Sequence, residues 1–326
     1  MYDQQEDIWH SYIKPFSHGC AMHYNMLQPG MQIFKHKYGI LAFASMRKTC
    51  FVLTEPVFSV KEDELKYKFL HDFFQDFPKP VFAYVSEEFG AFLHNYFHFN
   101  STQVGIERLV NLKDWSLNGK RKQVIRTALN KASKEGIYVV ENNREKGIYD
   151  KLDEWIQTRT HKNKITFLIR SHTGFEPEVR TFCSYNSHNE LLGYIQFTPI
   201  YKNGRLYSYM PDISGGSIEF KQGLFYVIVM NAMKQFIKEG LSVLNMGLVP
   251  LETNKESLFH ESIYRKRLVR LMRRMKFYNF DGIDFTKSRF VDPKKKEGIE
   301  IGIYLAHKNK LPLLKVIQLF KVMNII

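Results

Sequence analysis

Residues 193–251 read GYIQFTPIYKNGRLYSYMPDISGGSIEFKQGLFYVIVMNAMKQFIKEGLSVLNMGLVPL, and the fold turns on how this run is parsed. Two strand-like runs, 193–200 and 205–210, flank Tyr201-Lys202-Asn203-Gly204. Asn-Gly between such runs predicts a tight hairpin, because both residues accept the positive φ that a twisted two-residue turn needs. The polar, glycine-bearing 211–216 predicts a loop. An apolar run at 224–238, stopped by Gly240, predicts a long helix. A short strand is expected at 242–246, ending in Gly247-Leu248-Val249-Pro250.

Hairpin, loop, long helix and short strand in that order resemble the central unit of the GNAT N-acyltransferase fold. There the carrier of the acyl group binds where the long helix begins, since helix N-termini attract anions. The N-terminal part shows a similar order. Residues 38–45 and 50–53 read as a strand pair. Residues 62–77 read as a helix with Leu65, Phe69, Phe73 and Phe74 on one face. A strand at 81–85 and a helix at 87–97 follow. Beyond the central unit come a helix around 256–275 and a strand at 299–307. The expectation is an α+β protein of two tandem GNAT-like domains, each a mixed sheet flanked by helices. Their bounds are 1–136, ending in a basic helix at 121–134, and 137–326, carrying the site. Two units are preferred here to one large sheet. Further helices are expected at 151–161 and, amphipathic and too short to span a bilayer, at 313–326.

At 326 residues, two domains are the natural expectation. Lys and Arg number 47 against 33 Asp and Glu, a net charge of +14 that suits polyanionic partners such as RNA or anionic lipid. Seven cations fall within residues 265–276 with no acid among them. There Lys266, Arg270, Arg273 and Arg274 share a helical face opposite an apolar stripe, an arrangement suited to phosphate contacts or to a merely solvated face. The acidic N-terminus lacks an apolar leader core, and no run reaches the ~18 apolar residues of a membrane span. A cytoplasmic protein, docked peripherally at the inner face of the membrane, is expected.

Three cysteines without CxxC spacing predict neither a disulfide framework nor a zinc site. His94 and His98 lie at helical spacing but lack a third ligand, so no metal is expected. Cys183, in a strand-like run, reads as a buried structural thiol. Acyl transfer needs a base near the attacking group and donors for the oxyanion. Asp212, Glu219 and Tyr209 are the catalytic candidates. Loop carboxylates beside paired glycines serve equally as turn formers and helix caps.

Three blocks carry a family likeness. They are LKDWSLNGKRKQVIRTALNKASKEG at 112–136, NMGLVPL at 245–251 and FYNFDGIDFTKSRF at 277–290, with weaker matches at Leu53-Thr54-Glu55-Pro56 and Met210-Pro211-Asp212. In that order they resemble the C-terminal catalytic domain of phosphatidylglycerol lysyltransferases. The resemblance implies transfer of an aminoacyl group from aminoacyl-tRNA to a lipid hydroxyl, with no tightly bound cofactor. It also implies lipid near an interdomain cleft and tRNA on the basic surface. Lys120, Arg126, Asn130, Asn245, Lys287 and Arg289 are the polar positions that match the family's motifs. With Arg270, Arg273 and Arg274 they form the expected substrate-binding set. Arg205 and Ser208 stand where the family has Asp and Arg, and either the loop or the long helix after it is longer than the family's, so that the family's acidic position falls on Glu219 counted from Pro211 or on Tyr226 counted from Gly240. An acyl-CoA-dependent N-acyltransferase and a non-catalytic RNA- or membrane-binding protein are the rival readings.

Overall fold

The computed structural model describes residues 2–46, 49–142, 167–168, 176–216, 222–253, 280–291, 297–308 and 318–319. The helices expected at 151–161 and 256–275, and the amphipathic character expected at 313–326, lie outside the described residues.

Twelve described strands join in one sheet. In chain order they are β1 (Gln32–His36), β2 (Gly39–Met46), β3 (Thr49–Val52), β4 (Val57–Phe58), β5 (Val81–Val85) and β6 (Asn100–Asn111). Then come β7 (Tyr138–Asn142), β8 (Arg180–Tyr185), β9 (Leu191–Lys202), β10 (Arg205–Gly216), β11 (Val243–Pro250) and β12 (Gly298–His307). Their order across the sheet is β1-β2-β3-β5-β12-β6-β11-β10-β9-β8-β7, with β4 paired to β2. The described helices include α1 (Tyr2–Ile8), α2 (Lys14–Phe16), α3 (Asp63–Asp76), α4 (Glu87–Phe97), α5 (Gln123–Lys134), α6 (Gln222–Lys238) and α7 (Phe280–Lys287).

The preference for two units over one large sheet needs correcting: the described strands form a single sheet, within which a crossover unit recurs. Among the described strands, only β3·β5 and β10·β11 are parallel. Parallel neighbours need a crossover, and a helix supplies it each time: α3 for the first pair and α6 for the second. Each unit is therefore an antiparallel meander followed by a helix and a parallel strand. The units share one continuous sheet because β6 pairs antiparallel with β11 along Asn111–Gly105. The last strand, β12, returns to lie between β5 and β6, inside the first unit's sheet. The basic helix α5 packs on α6, so it is built into the second unit's core.

Local chemistry explains the well-anticipated elements. The β9–β10 turn places Asn203 at φ +51° and Gly204 at φ +76°, as its Asn-Gly demanded. Helix α6 stops at Gly240, φ +87°. Ser86 caps α4 by accepting from the Phe89 amide at 3.2 Å, and α4 ends in left-handed His98. Phe69 and Phe73 of α3 are fully buried, each with its ring against Phe34 of β1. One expectation needs correcting. Residues 211–216 continue strand β10 to Gly216, pairing with β9 across an irregularity between Pro211 and Ser214. Proline is tolerated there because such a shift interrupts the ladder. Strand β11 likewise runs past the expected Met246, to Pro250.

Candidate functional site

The second parallel pair comes apart almost at once. β10 and β11 are joined through Ser208↔Val243 and Tyr209↔Leu244 alone. Beyond these, β10 stays with β9 and β11 with β6. Ser208 holds the joint: its Oγ accepts the Asn245 amide at 2.9 Å and donates to the Val243 carbonyl at 3.0 Å. Two diverging strands leave backbone groups and inward side chains facing a gap. A bulge in β11, between Asn245 and Leu248, sharpens the divergence. Gly247 sits in this bulge at φ +73°, where a Cβ would lie 3.0 Å from Met210 Sδ and 3.3 Å from Lys287 Nζ.

A buried polar cluster lines that gap. Asn245 Nδ2 donates to Glu107 Oε2 at 3.0 Å, and Asn245 Oδ1 accepts the Gly247 amide at 2.7 Å. The Tyr84 hydroxyl donates to Glu107 Oε1. Burial pushes the Glu107 carboxyl up from its ordinary value, although the Tyr84 and Asn245 hydrogen bonds act against this. Lys287, from the end of α7, reaches in and donates to the Leu248 carbonyl at 2.8 Å. Burial brings its pKa down to about 8, while Glu107 and Asp212 favour its charged form. Asp212 leaves β10 on the same side and accepts from Thr198 Oγ1 at 3.0 Å. Thus a base-capable carboxylate, an ammonium and an amide-lined bulge converge at one strand divergence.

Helix α7 is anchored from behind. Buried Arg108 of β6 binds Asp284 Oδ1 at 2.6 Å and Glu300 Oε1 at 2.9 Å. Lys287 is therefore placed by the sheet itself. Apolar Tyr84, Ile200, Met210 and Ile303 floor the region, with Cys20, Tyr207 and Leu248 packed against them.

Of the expected site residues, Asp212, Asn245 and Lys287 are brought together. Tyr209 lies in the core on α6, its ring stacked on Phe236 at 4.8 Å and its phenol pushed up to about 12 by burial. Arg289 covers the Phe285 ring at 3.8 Å, just beyond Lys287 in the chain. Arg126 secures the chain ahead of α5, donating to the Leu117 and Gly119 carbonyls at 2.5 and 2.9 Å. Lys120 and Asn130 are exposed on and before α5. Glu219, Arg270, Arg273 and Arg274 lie outside the described residues. Glu107 and Tyr84 were not anticipated. A Glu-Arg pair within the otherwise apolar run Val104–Val110 was the available signal for Glu107. Among the described residues no cluster of His, Cys, Asp or Glu could hold a metal ion. His94 Nδ1 instead meets the Phe99 carbonyl at 2.9 Å. Burial pushes the Cys20 thiol well up, which makes it a poor nucleophile. No helix among the described residues is long and apolar enough to cross a membrane.

Two crossover units in a mixed sheet, the second splayed where its parallel strands meet, define an α+β acyltransferase-like fold in tandem GNAT-like form. The family described as phosphatidylglycerol lysyltransferase, C-terminal, matches residues 19–297, and the chain belongs to it. A lysyltransferase is an aminoacyltransferase, the enzyme class the sequence pointed to. The structure of L-PGS from Bacillus licheniformis superposes with a TM-score of 0.79 at 16% identity, covering 99% of this chain and 96% of that one. The C-terminal domain of a candidate lysylphosphatidylglycerol synthetase from Agrobacterium fabrum gives 0.72 at 12% identity, with 98% of each chain covered. An uncharacterized protein of Corynebacterium glutamicum is 23% identical over 288 residues, 84% of this chain. The chain spans about a third of that curated relative's length, 35%.

Proposed function

We propose that this chain is an aminoacyltransferase that moves an amino acid from aminoacyl-tRNA to a hydroxyl of an anionic lipid such as phosphatidylglycerol. The observation that carries the reading is the divergence of β10 from β11, where the charges of Glu107 and Asp212 act on the buried Lys287. Family membership gives the reaction class, and the +14 charge suits both substrates.

The chemistry divides as follows. The lipid hydroxyl oxygen attacks the ester carbonyl of the aminoacyl group, and Asp212 takes the hydroxyl proton. Lys287 faces the oxyanion that forms. The new carbon–oxygen bond to the lipid remains, and the bond to the ribose oxygen breaks. Asn245 orients Glu107 and the bulge. Glu219 is a second acidic candidate from its sequence position. Arg270, Arg273, Arg274 and Arg289 bind phosphates of either substrate, and Lys120, Arg126 and Asn130 border the tRNA surface. Tyr209 has no part in the chemistry, because its ring is locked in the core. The protein works at the inner face of the membrane.

The test is transfer from radiolabelled aminoacyl-tRNA pools to anionic vesicles, with labelled acyl-CoA in parallel. Label in the lipid phase that is lost in Asp212→Asn and Lys287→Met supports the proposal. Label arriving only from acyl-CoA replaces it with an ordinary N-acyltransferase. No transfer from either donor, with tight tRNA or vesicle binding, replaces it with a binding protein.

A further inference from the structure

Helices α5 and α6 leave between them a groove that the roles above do not use. It encloses about 320 Å³. One face of α5 lines it at every third or fourth position from Val124 to Glu135. Val124, Ala128 and Ala132 give the groove an apolar floor, and Leu224 and Val227 of α6 give it an apolar wall. The helices meet closely because their residues there are small. A Cβ on Gly223 of α6 would lie 3.7 Å from that of Ala128. Thr127, Lys131 and Glu135 are exposed at the rim, where Lys131 and Glu135 pair at 3.6 Å.

The groove has the size of one hydrocarbon chain. At about 1.5 Å per residue, the α5 stretch from Val124 to Glu135 is about 16 Å long. The volume spread over that length gives a mean section of about 20 Å², enough for one extended chain and too narrow for two. A nucleobase or peptide buried there would lose hydrogen bonds to water, and the apolar side chains of the floor return none. Cations stand at the mouth: Lys120 and Arg121 are exposed ahead of Val124, and Lys131 is exposed at the rim. One buried chain joined to a basic patch is the combination that holds a lipid firmly. The groove also adjoins a strand that reaches the site. Leu192 lines it, and the next residue, Gly193, pairs with Gly216 of β10. From Gly216 back to Asp212 is about 13 Å of extended strand, less than the ~20 Å thickness of one lipid leaflet.

We propose that this groove is a lipid-binding site for one acyl chain of an anionic phospholipid of the phosphatidylglycerol type, with Lys120 and Arg121 facing its phosphate. The inference deepens the acceptor half of the transfer reading above and rests on it. A chain laid between α5 and α6 fixes the lipid while its headgroup extends along β10 toward the strand divergence. Each buried methylene strengthens binding about fourfold, so the chain chiefly sets the affinity for the acceptor. The α5 cations also border the tRNA surface, so the two anionic substrates meet along this helix.

The experiment is photocrosslinking of the whole chain, as wild type, Thr127→Trp and Leu192→Trp, on phosphatidylcholine vesicles. The probe is a phosphatidylglycerol with a diazirine near the end of one acyl chain, and a diazirine fatty acid is run in parallel. Mass spectrometry of the peptides is expected to place the label within residues 123–137 and 222–227, and unlabelled phosphatidylglycerol to compete it away. Thr127→Trp fills the groove from its exposed rim. It is expected to lower the yield there by about tenfold or more, because losing two buried methylenes already weakens binding that much. Leu192→Trp does the same from β9. Label absent from these peptides in the wild type overturns the inference, and this arm needs no variant to fold. So does a folded Thr127→Trp that keeps its yield within a factor of two. A fatty acid that labels the groove and is not displaced by phosphatidylglycerol overturns the phospholipid assignment. Groove labelling in a protein that transfers nothing from aminoacyl-tRNA leaves the site standing and sinks the parent reading. Transfer with the label elsewhere sinks this inference alone.

Discussion

Asn245 and Glu107 are 138 positions apart in the chain, yet the Asn245 side-chain amide donates to the Glu107 carboxylate at 3.0 Å in the buried seam between β11 and β6. The same side chain accepts the amide of Gly247. One residue therefore joins the two halves of the sheet and shapes the bulge at the site.

Removing it strands both partners. Asn245→Ala leaves a buried carboxylate and a backbone amide short of a hydrogen bond, which costs about 1–3 kcal/mol for each unpaired group. A urea titration should show a lower midpoint with an unchanged slope, and transfer should fall further than stability does. An unchanged midpoint would mean that water replaces the amide freely.

Gly247→Ala separates geometry from stability. Left-handed backbone costs a non-glycine residue roughly 1–2 kcal/mol. The new methyl would press on the flexible ends of Met210 and Lys287, which shift rather than break the fold. A modest drop in melting temperature with a loss of transfer larger than that of Asn245→Ala is expected. Wild-type kcat in this variant would show that the Lys287 position is not critical.

Lys287 gives a direct pH readout. With a pKa of about 8, it should react with an amine-selective reagent with a midpoint near 8, well below that of exposed lysines. Mass spectrometry of the labelled peptide across pH measures this. The same shift sets the sign for stability. The unfolded chain binds the Lys287 proton up to about 10.5, whereas the folded chain releases it from about 8. Between those values the unfolded state holds more protons, so this residue's contribution to stability rises with pH. In Lys287→Met that rise disappears.

Arg108→Ala tests how the lysine is held. Removing Arg108 leaves the half-buried Asp284 and Glu300 without their cation, at a cost of about 1–3 kcal/mol. Release of α7 should also return the Lys287 labelling midpoint toward 10.5. A midpoint still near 8 would show that α7 is held without Arg108.

The exposed cations Lys120, Arg121, Lys131 and Lys134 on and before α5 predict a salt-sensitive tRNA affinity. Replacing all four with alanine should flatten the plot of log Kd against log salt by roughly 0.7–0.9 for each phosphate that is no longer neutralised. The same slope in both proteins would place the tRNA elsewhere.

Much of this molecule is legible in its residues because the signals are local. Asn203-Gly204 dictates the hairpin turn, Gly240 ends α6, and the phenylalanine spacing of 65–74 marks α3. The repeated order of meander, helix and strand carries over into both parallel pairs. Motif likeness and loop chemistry also single out Asp212, Asn245 and Lys287. The proline, serine and glycines of 211–216 read as a loop, yet the segment is strand. A neighbouring strand, β9, supplies the hydrogen bonds that override that local preference.

What the sequence determined alone was each element whose backbone or apolar period leaves one solution, and the net cationic balance of the chain. The tertiary structure decided which distant polar residues share a dry site. Glu107 meets Asn245, Tyr84 and Lys287 only because β6, β5, β11 and α7 are assembled around one strand divergence. Burial and charge proximity set these ionisations, and both are properties of three-dimensional neighbours that no spacing along the chain encodes.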